Sequence, residues 1–122
     1  MTTYHQKWYQ KNKERVLAKS RAYRLAHKEQ YRKYSYNYTL KKLGLTASDY
    51  EQMKSAQDNK CFICHKTETV RQNGLLMPLA VDHCHATGRV RKLLCRKCNT
   101  CLGLADENTI IFKSMINYLE SC

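Results

Sequence analysis

Four cysteines form two Cys-x-x-Cys pairs separated by thirty residues: Cys61, Cys64, Cys95 and Cys98. Two such pairs supply the tetrahedral set of four thiolates that zinc prefers. Four thiolates leave no open coordination position, so this zinc would be structural. The doubled spacing disfavours the alternative of buried apolar cysteines. A thioredoxin-like redox role is also disfavoured, because it needs one pair in a βαβ context.

Between the two pairs lies a run of side chains that can bind metals and move protons: Asp82, His83, Cys84 and His85. Asn99 directly follows the last paired cysteine. The oxygens of Asp82 and Asn99 suit Mg²⁺ or Mn²⁺ better than zinc. An imidazole exchanges protons near neutral pH, which makes His83 a candidate general base. A base and a metal are parts that phosphodiester hydrolysis needs. Alternatively, Asp82 and the histidines are extra metal ligands or polar turn residues.

The surrounding pattern predicts the elements that position these residues. We expect a strand over 79–83, a turn at 86–88, a returning strand over 90–94, and then a helix to about Leu104. Thr46 to Asp49 resembles a capping box, which predicts a helix to about Gln57. Asp106 or Asn108 would cap a last helix. The polar segment 66–78 is predicted to be a loop.

Residues 1–42 form a basic segment with a net charge of +10, from twelve Lys/Arg and two Glu, within a chain of net charge +12. The segment lacks Pro and Gly and is rich in helix formers, so we predict a helical arm. Its seven tyrosines and few aliphatic residues make too thin a stripe for a conventional core. The division predicted is an arm over 1–42 and a compact domain over 43–122.

The charge predicts a polyanionic partner, and DNA is the partner expected. The candidate contacts are Lys7, Lys11, Lys13, Arg15, Lys19, Arg21, Arg24, Lys28, Arg32, Lys33, Arg89 and Arg91. Three other roles for the arm stay open, namely a solvated helical face, dimerisation, and DNA binding combined with dimerisation. A membrane span is not expected, because no apolar run approaches the ~20 residues that it needs. An anionic membrane surface is the other polyanion that such charge favours, but the interleaved tyrosines form no clear apolar face for a membrane-lying helix, so no membrane partner is expected. Seven cysteines without a visible secretory signal predict the cytoplasm.

The motifs over residues 79–103 resemble the phage recombination endonuclease VII family, which belongs to the HNH or His-Me finger nucleases. The residues that carry the resemblance are the segment Leu-Ala-Val-Asp-His-Cys-His-Ala-Thr-Gly-Arg-Val-Arg at 79–91, Leu-Leu-Cys-Arg-Lys-Cys-Asn at 93–99 and Leu-Gly at 102–103. The segment 42–50 and the first cysteine pair are similar to small phage members. The resemblance therefore extends from residue 39 to about 120.

The resemblance implies a mostly helical α+β fold, with a zinc-stapled ββα-metal core behind the basic helical arm. It implies that His83 is the general base and that His85 contacts the scissile phosphate or assists the leaving group. Asp82 and Asn99 would hold the catalytic Mg²⁺ or Mn²⁺. The cytoplasm expected is then that of an infected bacterium, if the gene is phage-borne.

Three positions depart from the family pattern. Cys84 and Lys92 stand where many members have an acidic residue and a glycine, and Leu102 stands where the junction-resolving member has an acidic residue. The function predicted is that of an HNH-type metal-dependent DNA endonuclease, a nickase or a branched-DNA resolvase, with a homodimer as one option. The alternatives are a non-catalytic zinc-stapled DNA-binding module and a zinc-stapled interaction protein.

Overall fold

A computed structural model describes all residues, 1–122, as a mixed α+β fold that is mostly helical. The order along the chain is α1 (Tyr4–Ala26), α2 (Lys28–Lys42), α3 (Ala47–Ala56), β1 (Arg71–Gln72), β2 (Leu75–Leu76), β3 (Ala80–His83), β4 (Val90–Leu94), α4 (Arg96–Leu104) and α5 (Thr109–Glu120). None of the five helices combines the length and hydropathy that a bilayer crossing needs.

The chain divides into two compact units, Met1–Thr39 and Leu40–Cys122. The division lies three residues before the predicted boundary, because Leu40 is buried in the second unit while the residues around it in α2 are exposed.

The first unit consists of two helices rather than one continuous helix. Thr3 and Gln6 form a capping box at the start of α1, and α1 ends at His27, which separates it from α2. The His27 ring stacks on Tyr23, with 4.1 Å between ring centroids, and its Nδ1 lies 2.9 Å from the Tyr23 carbonyl oxygen. The interruption occurs without Gly or Pro, so the sequence carries no breaker at this point.

The second unit is organised around the antiparallel pair β3–β4, against which α3 and α4 pack. Its apolar core is small and consists of Leu40, Tyr50, Cys61, Leu79, Leu93, Leu94, Cys95 and Ala105. The Tyr50 hydroxyl donates to the Leu79 carbonyl over 3.0 Å and so ties α3 to the start of β3. The capping box predicted at Thr46 and Asp49 is present.

The pairing of β3 with β4 is irregular at Asp82. Val81 pairs with Leu93 and His83 with Val90, so Arg91 and Lys92 both lie opposite Asp82. A bulge of this kind redirects the side chains of the bulged strand and is common beside active sites. At this bulge the side chains of Arg91 and Lys92 point in different directions. Arg91 reaches Asp82, and the Lys92 ammonium lies 5.3 Å from the centroid of the Phe62 ring.

Segment 66–78 was predicted to be a loop. The prediction is wrong in part, because the segment contains the short hairpin β1–β2. Asn73 and Gly74 form its turn, with φ of 52° and 78°. Positive φ at both central positions is the geometry that an Asn-Gly pair favours in a two-residue hairpin turn. The dipeptide was therefore a usable signal that the sequence analysis missed.

Helix α5 begins after Asn108, whose side chain accepts from the backbone N–H groups of Ile110 and Ile111. Its apolar residues Ile111, Met115, Tyr118 and Leu119 are exposed. The core of the second unit is therefore built from the hairpin, α3 and α4, with little from α5.

Glu68 is a buried carboxylate that supports the start of α4. It accepts hydrogen bonds from the backbone N–H groups of Thr69 (2.8 Å), Val70 (2.9 Å) and Arg96 (2.6 Å). Burial alone would raise the pKa of Glu68, but the N–H donors of Val70, Arg96 and Thr69 outweigh it and lower the pKa below 4.5. The charged form is therefore favoured in the folded chain.

We predict that Glu68→Gln lowers the free energy of unfolding at pH 7 by about 1.5–3 kcal/mol, the usual scale for a hydrogen bond to a charged group. Because the pKa is depressed on folding, this contribution is complete above the unfolded-state value and is lost as pH falls through the folded-state value. The difference between wild type and variant should therefore shrink in acid. Urea unfolding across a pH series measures it, with the exposed Glu51→Gln as control.

Candidate metal centre and active site

The four paired cysteines converge in space, and their sulfur atoms all lie within 4.8 Å of one another. The sulfurs of Cys64 and Cys95 are 3.8 Å apart. A zinc ion with Zn–S bonds of ~2.3 Å requires sulfur–sulfur edges of about 3.8 Å. The cluster therefore has the ligand types, number and spacing of a structural zinc site. No other group of three or more His, Cys, Asp or Glu side chains converges in this way.

Backbone hydrogen bonds shape the two turns that carry these sulfurs. In the first turn, the N–H of Cys61 donates to the Lys66 carbonyl and the N–H of His65 donates to the Cys61 carbonyl, with φ of 58° at His65. The Phe62 N–H donates to the carbonyl of Leu93 in β4 over 3.0 Å. That bond brings the first pair beside the strand that leads directly to the second.

The pKa shifts of the cysteines in the cluster differ in direction. Burial raises the pKa of the Cys61 thiol, but backbone N–H groups of Cys64, Cys95 and Ile63 lower it to about 7. Burial and the neighbouring thiols raise the pKa of Cys98. Several thiolates this close together repel one another unless a cation neutralises their charge. A bound zinc ion would supply that cation.

Asp82 and His83 lie next to each other on β3, and the Asp82 carboxylate is buried. Its two oxygens accept from the Arg91 guanidinium, including Nη2 to Oδ1 at 3.0 Å. The same Nη2 lies 3.2 Å from the His83 carbonyl oxygen. Arg91 thus fixes both the carboxylate and the backbone beside it, and the hydrogen bonds that it donates to Asp82 and Glu107 raise its pKa further.

His83 and His85 lie close together at the end of β3. Their rings meet edge to face with 5.1 Å between centroids, and His83 is half-buried while His85 is exposed. A tight turn follows, in which the Gly88 N–H donates to the Cys84 carbonyl and the Cys84 N–H donates to the Arg89 carbonyl. Exposure to solvent therefore increases from the Asp82 carboxylate to the His83 ring and then to the His85 ring.

Asn99 lies in the first part of α4 and is half-buried. Its backbone N–H donates to the Cys95 carbonyl over 3.0 Å. Cys95 is also the N-cap of α4, where its sulfur accepts from the Cys98 N–H at 3.5 Å. One helical turn thus carries two cysteines of the cluster and the candidate metal ligand Asn99, and this helix packs on β3.

Glu107 is part of this site, although the sequence analysis did not identify it. Its carboxylate lies 2.9 Å from Arg91 Nη2 and 3.5 Å from His85 Nδ1. The hydrogen bond from Arg91 lowers the pKa of Glu107. No motif signalled this role, because the contact joins the turn after α4 to residues sixteen and twenty-two positions earlier.

The candidate DNA contacts fall into three groups. In the arm, all ten basic residues are exposed except Arg32, which is half-buried. Arg89 is exposed in the turn before β4. Arg91 is also exposed, and its guanidinium is paired with the carboxylates of Asp82 and Glu107.

A sequence model of recombination endonuclease VII matches residues 27–121 of the chain. The Gene 59 protein of Mycobacterium phage L5 is 43% identical over 77 residues, which cover 62% of this chain and 44% of that protein. The Gene 59 protein of Mycobacterium phage D29 is 40% identical over 78 residues, which cover 63% of this chain and 44% of that protein. The chain thus matches less than half the length of either relative. No solved structure matches it significantly.

We expect the purified chain to contain about one zinc ion, held by the four converging sulfurs. Cys95→Ser should remove a ligand and lower the thermal midpoint strongly, because metal binding of this kind is coupled to folding. The matched control is Cys101→Ser, since Cys101 is exposed and outside the cluster. Elemental analysis and thermal unfolding measure both effects. A metal-free wild type that unfolds at the same temperature with and without added zinc would contradict the assignment.

Proposed function

The chain belongs to the recombination endonuclease VII family, and from that membership we propose that it is an HNH-type, metal-dependent DNA endonuclease that nicks duplex DNA or resolves branched DNA. The β3–β4 hairpin and α4 would form its His-Me finger core. The main support is that Asp82 and His83 share β3, which packs on the helix that carries Asn99. The match covers 44% of each relative, so the activity is proposed for this chain and not for the rest of those proteins. We assign it to the cytoplasm of an infected bacterium, since both relatives are phage proteins.

In the proposed reaction, His83 accepts a proton from the attacking water. The water oxygen forms a bond to phosphorus, and the bond from phosphorus to the leaving sugar oxygen breaks. His85, which is exposed beside His83, would contact the scissile phosphate or assist the leaving oxygen. The half-buried position of His83 supports its role as base, because a partly buried ring is restricted in its movement and is not fully shielded from water.

Asp82 and Asn99 would hold a Mg²⁺ or Mn²⁺ ion, which when bound stabilises negative charge on the phosphate and leaving oxygens. The hard oxygen donors of these two residues fit such an ion. The charges also fit, because Arg91 lies between two carboxylates and the group Asp82–Arg91–Glu107 has a net charge of −1.

One observation favours a second candidate, a non-catalytic DNA-binding module. The Asp82 carboxylate already accepts two hydrogen bonds from Arg91, which leaves it fewer free lone pairs for a metal. In that case the chain binds DNA without cutting it. Incubation of supercoiled plasmid, linear duplex and a four-way junction with Mg²⁺ separates the two candidates and identifies the preferred substrate.

We expect His83→Ala to lower the cleavage rate by at least ~10²-fold, the usual scale for loss of a general base. Asp82→Asn should be comparably inactive. Zinc content and DNA affinity should persist in both, since neither residue belongs to the cysteine cluster. Plasmid nicking under single-turnover conditions measures the rate, and His5→Ala in α1 is the matched control. Cleavage by His83→Ala at the wild-type rate would rule out the assigned base.

We propose that the arm supplies sequence-independent phosphate contacts. Its cations are exposed, and one face of α1 combines cationic and aromatic side chains in a single groove lined by Trp8, Arg15, Val16, Lys19, Ser20 and Tyr23. Cations suit phosphates, and aromatic rings suit bases that are unstacked at a nick or branch. The competing role is dimerisation, in which exposed Trp8, Tyr9, Tyr23 and Leu25 and half-buried Val16 would pack on a second copy.

Replacing Lys11, Arg15 and Lys19 by Gln in the full chain should flatten the slope of log affinity against log salt by about 0.9 for each phosphate that the variant no longer neutralises. The control replaces Lys54, Lys60 and Lys113 of the second unit. Duplex binding across a salt series gives the slope, and sedimentation gives the oligomeric state. An unchanged slope in the arm variant would contradict the DNA role, and loss of a dimer with that slope unchanged would favour dimerisation.

A further inference from the structure

Glu107 is the residue that links the active-site side chains to the end of α4. Its two oxygens face the Arg91 guanidinium, with Oε1 at 2.9 Å from Nη2 and Oε2 at 3.3 Å from Nη1. Oε1 also lies 3.5 Å from Nδ1 of His85. The side chain is only 19% exposed. One carboxylate thus contacts both the Arg91 guanidinium and the His85 ring.

The backbone that carries Glu107 is fixed on both sides. Asp106 donates its N–H to the Gly103 carbonyl and Glu107 donates its N–H to the Leu102 carbonyl over 2.9 Å, the paired bonds of a Schellman helix end. Asn108 directly follows as the N-cap of α5. The carboxylate therefore projects from a turn between two capped helices, which limits where it can move.

Glu107 adopts a left-handed backbone conformation, with φ of 54°. A non-glycine side chain is disfavoured in this region, because its Cβ comes close to the following carbonyl oxygen. Asp106 beside it has φ of 51°. The turn that carries the Glu107 carboxylate therefore contains two successive left-handed residues, as does the turn at Asp58 and Asn59.

We propose that Glu107 is a positioning residue for DNA cleavage: it holds His85 in the orientation in which that imidazole meets the phosphate or the leaving oxygen. This role rests on the proposed endonuclease function. Arg91 supports it indirectly, because its guanidinium bridges Glu107 to Asp82 and so keeps the Glu107 carboxylate beside the site. Glu107 itself touches neither water nor phosphate in the reaction.

Glu107→Gln tests the role, because it keeps the shape of the side chain and removes its charge. Under single-turnover conditions with Mg²⁺, it should lower plasmid cleavage by about 10- to 100-fold, the scale seen when an outer partner of an active-site group is removed. DNA affinity and thermal midpoint should change little. The matched control is Asp106→Asn, which removes a charge from the neighbouring position of the same turn and should cut like wild type.

A double-mutant cycle shows whether Glu107 acts through His85. If it does, Glu107→Gln should change the rate less than twofold when His85 is already Ala, because the group it orients is gone. An equal loss in both backgrounds would overturn the proposal. Full activity of Glu107→Gln in the wild-type background would overturn it too.

The contact is also tested without any cleavage. In the zinc-loaded protein, the imidazole NMR signals of His85 should move in Glu107→Gln, while those of His5 and His27 in the arm stay in place. Unmoved His85 signals would overturn the proposal. If the wild type cuts no DNA while the His85 signals do move, the endonuclease function fails and the orienting contact stands, so the two failures are distinguishable.

Discussion

The convergence of four sulfur atoms from two turns thirty residues apart is the constraint on which the second unit depends. Only eight apolar residues are buried there, too few to hold two β hairpins and three helices firmly by apolar packing alone. The cluster joins the turn after α3 to the start of α4. Buried polar groups add to it, because the Gln57 side-chain amide both donates to and accepts from the backbone of Leu93.

The bulge opposite Asp82 connects this framework to the proposed chemistry. Arg91 and Lys92 of β4 both lie opposite the single residue Asp82 of β3. The Arg91 side chain points towards the buried Asp82 carboxylate. A lone buried carboxylate is costly unless it is paired and hydrogen-bonded. Arg91 meets that need, and Glu107 in turn pairs with Arg91. Arg91 thus joins Asp82 to a carboxylate twenty-five positions away in the chain.

The sequence predicted the features that local spacing determines. The capping box at Thr46 and Asp49, the strand 90–94 and the helix to Leu104 depend on neighbouring residues, and the structure has all three. The match to residues 27–121 confirmed the family that the motifs indicated. The convergence of the cysteines also followed from their doubled spacing. The role of Glu107 was out of reach, because it depends on how the turn after α4 returns to β4. The break at His27 was equally out of reach, because a ring contact rather than a breaker residue marks it.

Cys95 has two structural roles at once, as a member of the sulfur cluster and as the cap of α4. An oxidant that joined its sulfur to the neighbouring Cys64, 3.8 Å away, would take that sulfur out of the set of four thiolates. The same sulfur caps the first turn of α4, and that turn carries Asn99. The oxidation state of the Cys95 sulfur therefore bears on the helical turn that holds Asn99, whose side-chain amide the proposed reaction needs.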